Sequence, residues 1–207
     1  ILSLFFSKEI IGCYSIIFQF MVLPISLVGS AMSKVYYKEI SIAQTQNEIA
    51  NITKRVTKIT FILSLIPIVF IVCGGDHFIT WYLGKKWEIS GNISLCLSIM
   101  SVPIILSESL LPLFRKNDKQ QTRFIFDLLC FSFGIGGLYY ACNLSSNIYL
   151  VLITYVVLYS IIRYSLFFKI LHDAQVKSTF KEVFIFVFCI SICNIVAFVR
   201  LYQLFHH

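Results

Sequence analysis

The chain has 207 residues, of which 58% are hydrophobic and 13% charged, and its mean hydropathy is +0.84. Soluble domains carry about 25% charged residues, so this composition excludes an ordinary soluble globular protein. The net charge of +7 does not indicate nucleic-acid binding, because the cations lie in short segments between long apolar blocks.

The first apolar run, residues 1–6, follows no basic region and precedes no small-residue cleavage site, which argues against a signal peptide. The sequence opens on Ile1 rather than Met, and we expect residues 1–207 to be one transmembrane domain of a longer protein.

Six apolar blocks follow along the chain, each about long enough to cross a bilayer as a helix. The blocks are residues 11–33, 59–73, 93–114, 124–142, 148–170 and 183–205. Strands of membrane barrels span about 9–11 residues with alternating polarity, whereas these blocks are longer and apolar on all faces. The sequence therefore predicts an all-α polytopic transmembrane helix bundle with about six spans.

The number of basic residues alternates between successive connecting segments. Residues 34–58, 115–123 and 169–182 carry five, four and three Lys or Arg. Residues 74–92 and 143–147, which alternate with them, carry two and none. Because cytoplasmic loops are enriched in Lys and Arg, we expect the three basic segments to be cytoplasmic.

Residues 34–58 also contain apolar residues at helical spacing, namely Ile49, Ile52, Val56 and Ile59. Polar and basic residues separate them, a pattern typical of an amphipathic helix. We expect this helix to lie in the cytoplasmic membrane interface and to continue into the second span.

Residues 74–92 combine aromatic rings with two lysines, which is typical of the headgroup level of a membrane. The aromatic residues are Phe78, Trp81, Tyr82 and Trp87, and the lysines are Lys85 and Lys86. Anchoring in the interface is the preferred interpretation of this cluster.

Three consecutive spans contain a proline near their middle: Pro24, Pro67 and Pro103. Proline removes a backbone hydrogen bond, and we expect each helix to bend or break nearby. Broken helices are common in transporters, but proline is also generally frequent in membrane helices.

No motif in the sequence predicts catalysis, and we expect neither enzyme activity nor a metal or cofactor. Cys189 and Cys193 share a helix face, but no His or acid in that span completes a ligand set, which favours packing. Gly134, Gly136 and Gly137 lie inside a span and favour close helix contact over phosphate binding.

Three charged residues lie within apolar spans: Glu108, Asp127 and Arg163. Counted by helix rise from the basic ends of their spans, they reach similar depths. Charges at membrane depth are costly and mark functional sites by default, with anchoring by snorkelling as the alternative, which we prefer for Asp127 alone. We expect Arg163 to face the bundle interior with Glu108 or Asp127 as its partner.

Four short stretches are similar to bacterial polysaccharide flippases of the multidrug/oligosaccharidyl-lipid/polysaccharide exporter superfamily. They are FFSKEIIGCYS at residues 5–15, LPISLVGSA at 23–31, VYY at 35–37 and YLGKKWEISG at 82–91. In these flippases such stretches recur in the same order in the second half of the chain. The resemblance covers the first half of this chain, and Glu108 departs from it, since a small or polar residue is expected there.

The resemblance implies a two-lobed transporter of the bacterial inner membrane that works by alternating access, with residues 1–207 as its C-terminal lobe. The implied substrates are undecaprenyl-diphosphate-linked oligosaccharides for O-antigen, capsule or exopolysaccharide. Arg163 would contact the diphosphate, while Glu108 and Asp127 would hold the guanidinium or couple transport to H⁺ or Na⁺. Glycan polymerases are further possible partners.

Three other functions fit the composition, and one of them, a scaffold that transports nothing, is not excluded by any feature of the sequence. A small-molecule antiporter of the same superfamily would need a dense set of acids or amides in its spans, and these are sparse. A membrane polymerase or ligase of glycan assembly would need a large extracytoplasmic loop with Arg or His, and residues 74–92 are short and aromatic.

Overall fold

The computed structural model describes residues 1–84 and 87–176, and the regular secondary structure in these ranges is entirely helical. A short segment, Ile71–Gly75, joins α3 to α4 and is kinked at Gly74, whose φ is 124°. The α-helices of the described part are α1 (Leu2–Phe5), α2 (Lys8–Ile42), α3 (Gln46–Phe70), α4 (Asp76–Leu83), α5 (Glu88–Ser98), α6 (Ser101–Leu110), α7 (Pro112–Lys116), α8 (Gln120–Leu144) and α9 (Ile148–Asp173). The prediction of an all-α helix bundle is confirmed.

Four segments are long and apolar enough to cross a membrane: α2, α3 together with residues 71–75, α8 and α9. A fifth candidate consists of α5 followed by α6 and α7, with a bend of 48° between them. These five correspond to the first five predicted spans. The sixth, residues 183–205, lies outside the described residues, as do Cys189, Cys193, Lys85 and Lys86.

Residues 34–58 are almost wholly helical, because α2 continues to Ile42 and α3 begins at Gln46. Thr45 caps α3: its hydroxyl accepts from the Glu48 amide, and the Glu48 carboxylate accepts from the Thr45 amide. The two helices are joined inside the bundle by a buried hydrogen bond of 2.8 Å between the hydroxyls of Tyr36 and Thr53.

The amphipathic segment continues into the second span, as predicted, and part of its apolar face packs against protein. Ile49 and Val56 are buried in the protein core, while Ile59 is 45% exposed. The buried face packs against α2 and α6. Helical periodicity shows that one face is apolar, but the same pattern serves for packing against lipid or against protein.

The three prolines have different surroundings. Both α2 and α3 run through Pro24 and Pro67 without a break in the helix. The break between α5 and α6 lies at residues 99–100, immediately before Pro103, which cannot donate to the carbonyl four residues earlier. An interruption is therefore found at Pro103, where it was predicted.

The broken span of α5 and α6 is the centre of the bundle, in contact with α2, α3 and α9. Buried serines along it donate their hydroxyls to carbonyls three residues earlier, as Ser98 does to Leu95 at 2.9 Å and Ser109 to Leu106 at 3.0 Å. These bonds within the helix satisfy the hydroxyl groups. Because serine side chains are small, neighbouring helices can approach closely.

Helix α8 packs on α9 through two glycines, as predicted. A Cβ added to Gly134 would lie 3.2 Å from the ring of Tyr155, and one added to Gly137 would overlap the Leu158 side chain. Gly136, on another face, has nothing within 4 Å of such a Cβ. The aromatic cluster of residues 74–92 lies partly on α4, where Phe78 contacts both Trp81 and Tyr82 and all three rings are more than half exposed.

The basic segments converge at one end of the bundle. Lys116 donates through Nζ to the carbonyls of Ala43, at 3.1 Å, and Ile40. Nζ of Lys119 lies 3.3 Å from Oδ2 of Asp173, whose backbone carbonyl accepts from Nε2 of the Gln46 side chain. Residues 34–58, 115–123 and the described part of 169–182 therefore share one side of the bundle, as the charge alternation predicts.

Candidate functional site: a charged cleft

Arg163 of α9 forms an ion pair with Glu108 of α6, with 3.0 Å between Nη1 and Oε1. Oδ1 of Asp127, on α8, lies 3.8 Å from the same nitrogen. The Arg163 side chain is only 10% exposed, whereas the Glu108 and Asp127 side chains are 35% and 42% exposed. The structure thus brings the three predicted residues together, with the cation deepest in the wall and the acids nearer the opening.

Tyr159, one turn before Arg163 on α9, fixes the guanidinium from the other side. Its hydroxyl oxygen accepts from Nη2 of Arg163 at 2.9 Å and from Nε at 3.1 Å. The guanidinium also lies over the tyrosine ring, with 5.3 Å between Cζ and the ring centroid. The sequence analysis missed this residue, although the i,i+4 spacing to Arg163 is a signal that could have indicated it.

These residues line a cleft of about 810 Å³ between α2, the α5–α7 span, α8 and α9. Its cationic side chains are Lys34, Arg115, Arg123 and Arg163, and its acidic side chains are Glu108 and Asp127. Hydroxyls of Ser26 and Ser30 add polar groups from α2. A net cationic cleft between apolar helices, with charged and hydroxyl groups among apolar side chains, is suited to an anionic ligand.

Two other cations of the cleft, Arg123 and Arg115, have weaker contacts than Arg163. Arg123 lies 3.5 Å from Asp127, one turn away on α8, and is 45% exposed. Arg115 lies over the Tyr37 ring, with 5.6 Å between Cζ and the ring centroid. Exposed pairs of this kind contribute little stability, so these side chains can turn toward a ligand at small cost.

Glu108 owes its position to close contact between α6 and α2. A Cβ added to Gly29 would lie 3.2 Å from the Cβ of Glu108. The absence of a side chain at Gly29 therefore allows Glu108 to reach Arg163 across the cleft wall.

The comparisons with known proteins find one family. Residues 1–91 match the model of the family described as polysaccharide biosynthesis protein. No curated protein and no solved structure matches the chain. The matched residues contain all four stretches that carry the resemblance, and they supply the α2 wall of the cleft. Glu108, Asp127 and Arg163 lie beyond them.

The match supports a role in polysaccharide assembly, and the apolar helices support a membrane protein. Among residues 1–84 and 87–176, no group of three or more His, Cys, Asp or Glu side chains is arranged to hold a metal ion. The chemistry that this cleft offers is charge pairing and hydrogen bonding.

Proposed function

We propose that the protein carries an undecaprenyl-diphosphate-linked oligosaccharide across the bacterial inner membrane, for the assembly of O-antigen, capsule or exopolysaccharide. The single observation that carries the proposal is a buried arginine, paired with two carboxylates, in the wall of a cationic cleft between membrane-spanning helices. The family match to polysaccharide biosynthesis supports the choice of a saccharide as cargo.

The cleft can accept a diphosphate by exchanging partners. Without substrate, Glu108 and Asp127 neutralise Arg163, which lowers the cost of holding a guanidinium away from water. A diphosphate brings at least two negative charges and replaces Glu108 at Nη1. Arg115, Arg123 and Lys34 balance the remaining charge and attract the head group to the opening.

The same proposal includes the rest of the transporter and its partners. Residues 1–207 act as the C-terminal lobe of a two-lobed transporter, and alternating access moves the head group from the cytoplasmic side to the other. Glu108 and Asp127, which are partly exposed to the cleft, can also bind the coupling H⁺ or Na⁺. Glycan polymerases receive the product.

The test uses the full-length protein reconstituted into vesicles that contain a lipid-linked oligosaccharide. Transport predicts that the protein increases the fraction of saccharide reached by a membrane-impermeant glycosidase, with no change in the mass of glycan isolated before glycosidase treatment. A glycan of altered mass would instead indicate a polymerase or ligase. Unchanged glycosidase access in vesicles with correctly inserted protein would overturn the proposal.

A further inference from the structure

The guanidinium of Arg163 has five N–H donors in a planar fork, and two of its edges can hold an anion at two points. One edge combines Nε with Nη2, and the other combines Nη1 with Nη2. Because Nε and Nη2 both donate to the Tyr159 hydroxyl, at 3.1 Å and 2.9 Å, the first edge is occupied.

The second edge is held more loosely. Its Nη1 donates to Glu108 at 3.0 Å, and Asp127 lies 3.8 Å from the same nitrogen. Both acids have side chains that are more than a third exposed, and both border the cleft. A ligand in the cleft can displace a carboxylate here, whereas the Tyr159 hydroxyl lies on the same helix as Arg163 and remains beside it.

We infer that Tyr159 is a positioning residue, which occupies the Nε edge of Arg163 and so presents the Nη1–Nη2 edge to the diphosphate of the cargo. This inference rests on the proposed function. Tyr159 acts through Arg163, because its hydroxyl already accepts two guanidinium N–H groups. Without that hydroxyl the guanidinium can turn, and its Nη1–Nη2 edge is no longer fixed toward the cleft.

The experiment measures binding of farnesyl diphosphate, a short isoprenoid diphosphate, to the full-length protein in detergent by titration calorimetry. Tyr159→Phe keeps the ring under Arg163 and removes only the hydroxyl. We expect it to weaken binding about 10-fold, the effect typical of one hydrogen bond to a charged group. Tyr149→Phe is the matched control, because Tyr149 is on the same helix and its hydroxyl accepts from Asn92, away from the cleft.

A double-mutant cycle separates positioning from general packing. Lysine lacks the planar fork, so Tyr159→Phe should weaken binding no further when Arg163→Lys is already present. Additive losses in the cycle, or unchanged affinity in Tyr159→Phe, would overturn the inference while leaving the proposed function intact. A wild-type protein that does not bind farnesyl diphosphate would overturn both.

Discussion

Gly29 of α2 lies so close to Glu108 of α6 that a Cβ added to the glycine would be 3.2 Å from the Cβ of Glu108. Few Cβ contacts in proteins are this short, so any side chain at residue 29 pushes on the carboxylate that pairs with Arg163. Gly29, which has no side chain, thereby affects the position of a charged group in the cleft.

Gly29→Val should displace Glu108 from Arg163 and lower export of the glycan about 10-fold or more, since a buried charge then loses a partner. Gly12→Val is the control, because a Cβ on Gly12 of the same helix meets nothing within 4 Å. Glycan export in cells that lack the native protein provides the measurement. Equal export by the two variants at equal expression would show that the α2–α6 contact does not control the site.

The contact between α8 and α9 gives a second glycine pair for comparison. Gly137→Val should overlap Leu158 and destabilise the bundle by about 1–3 kcal/mol, the usual cost of overpacking. Gly136→Val should leave stability nearly unchanged, because that face is open. Thermal unfolding in detergent measures both. A lower melting temperature for Gly136→Val than for Gly137→Val would contradict this packing.

Asp173 holds together the basic end of the bundle. Its side chain is 5% exposed and lies 3.3 Å from Lys119 and 3.4 Å from Lys169. Asp173→Asn should lower the free energy of unfolding by about 1–3 kcal/mol, because two charge-assisted contacts are lost. The control is Asp118→Asn, since Asp118 is exposed and has a positive φ that asparagine tolerates. If chemical denaturation gives both variants wild-type stability, the Asp173 contacts do not contribute.

The shared end of the three basic segments predicts the orientation of the chain. Single cysteines at Gln46 and Asp118, on a background without native cysteines, should resist an impermeant thiol reagent in intact cells and react after permeabilisation. A cysteine at Ser146, between α8 and α9 at the other end, should react in both conditions. Labelling of residues 46 and 118 in intact cells would reverse the topology.

Much of this arrangement follows from simple rules applied to the sequence. The depth of Glu108, Asp127 and Arg163 follows from helix rise, so their proximity could be predicted once the spans were known. Pro103 similarly indicated the break that the structure has at residues 99–100.

Other features depend on which helices are neighbours, and a single helix does not contain that information. Gly29 is followed by Ser30 and Ala31, small residues that favour close helix contact, but the sequence does not identify Glu108 as its neighbour. The basic residues of 34–58 indicate a connection between two spans, and helical spacing predicts a helix only in its second half. Lysine is a good helix former, however, and α2 and α3 extend through most of the segment. Charge indicates the side of the membrane more directly than it indicates where a helix ends.

The central claim is that Arg163, with Glu108 and Asp127, binds the anionic head group that the protein carries. The most direct measurement compares glycan export by full-length Arg163→Ala, Arg163→Lys and Arg55→Ala at matched membrane expression. Arg55 is the control, because it is 62% exposed and pairs with Glu39 outside the cleft. We predict that Arg163→Ala abolishes export, that Arg163→Lys restores only part of it because an ammonium lacks the two-point contact, and that Arg55→Ala exports normally. Normal export by a well-expressed Arg163→Ala protein would contradict the claim.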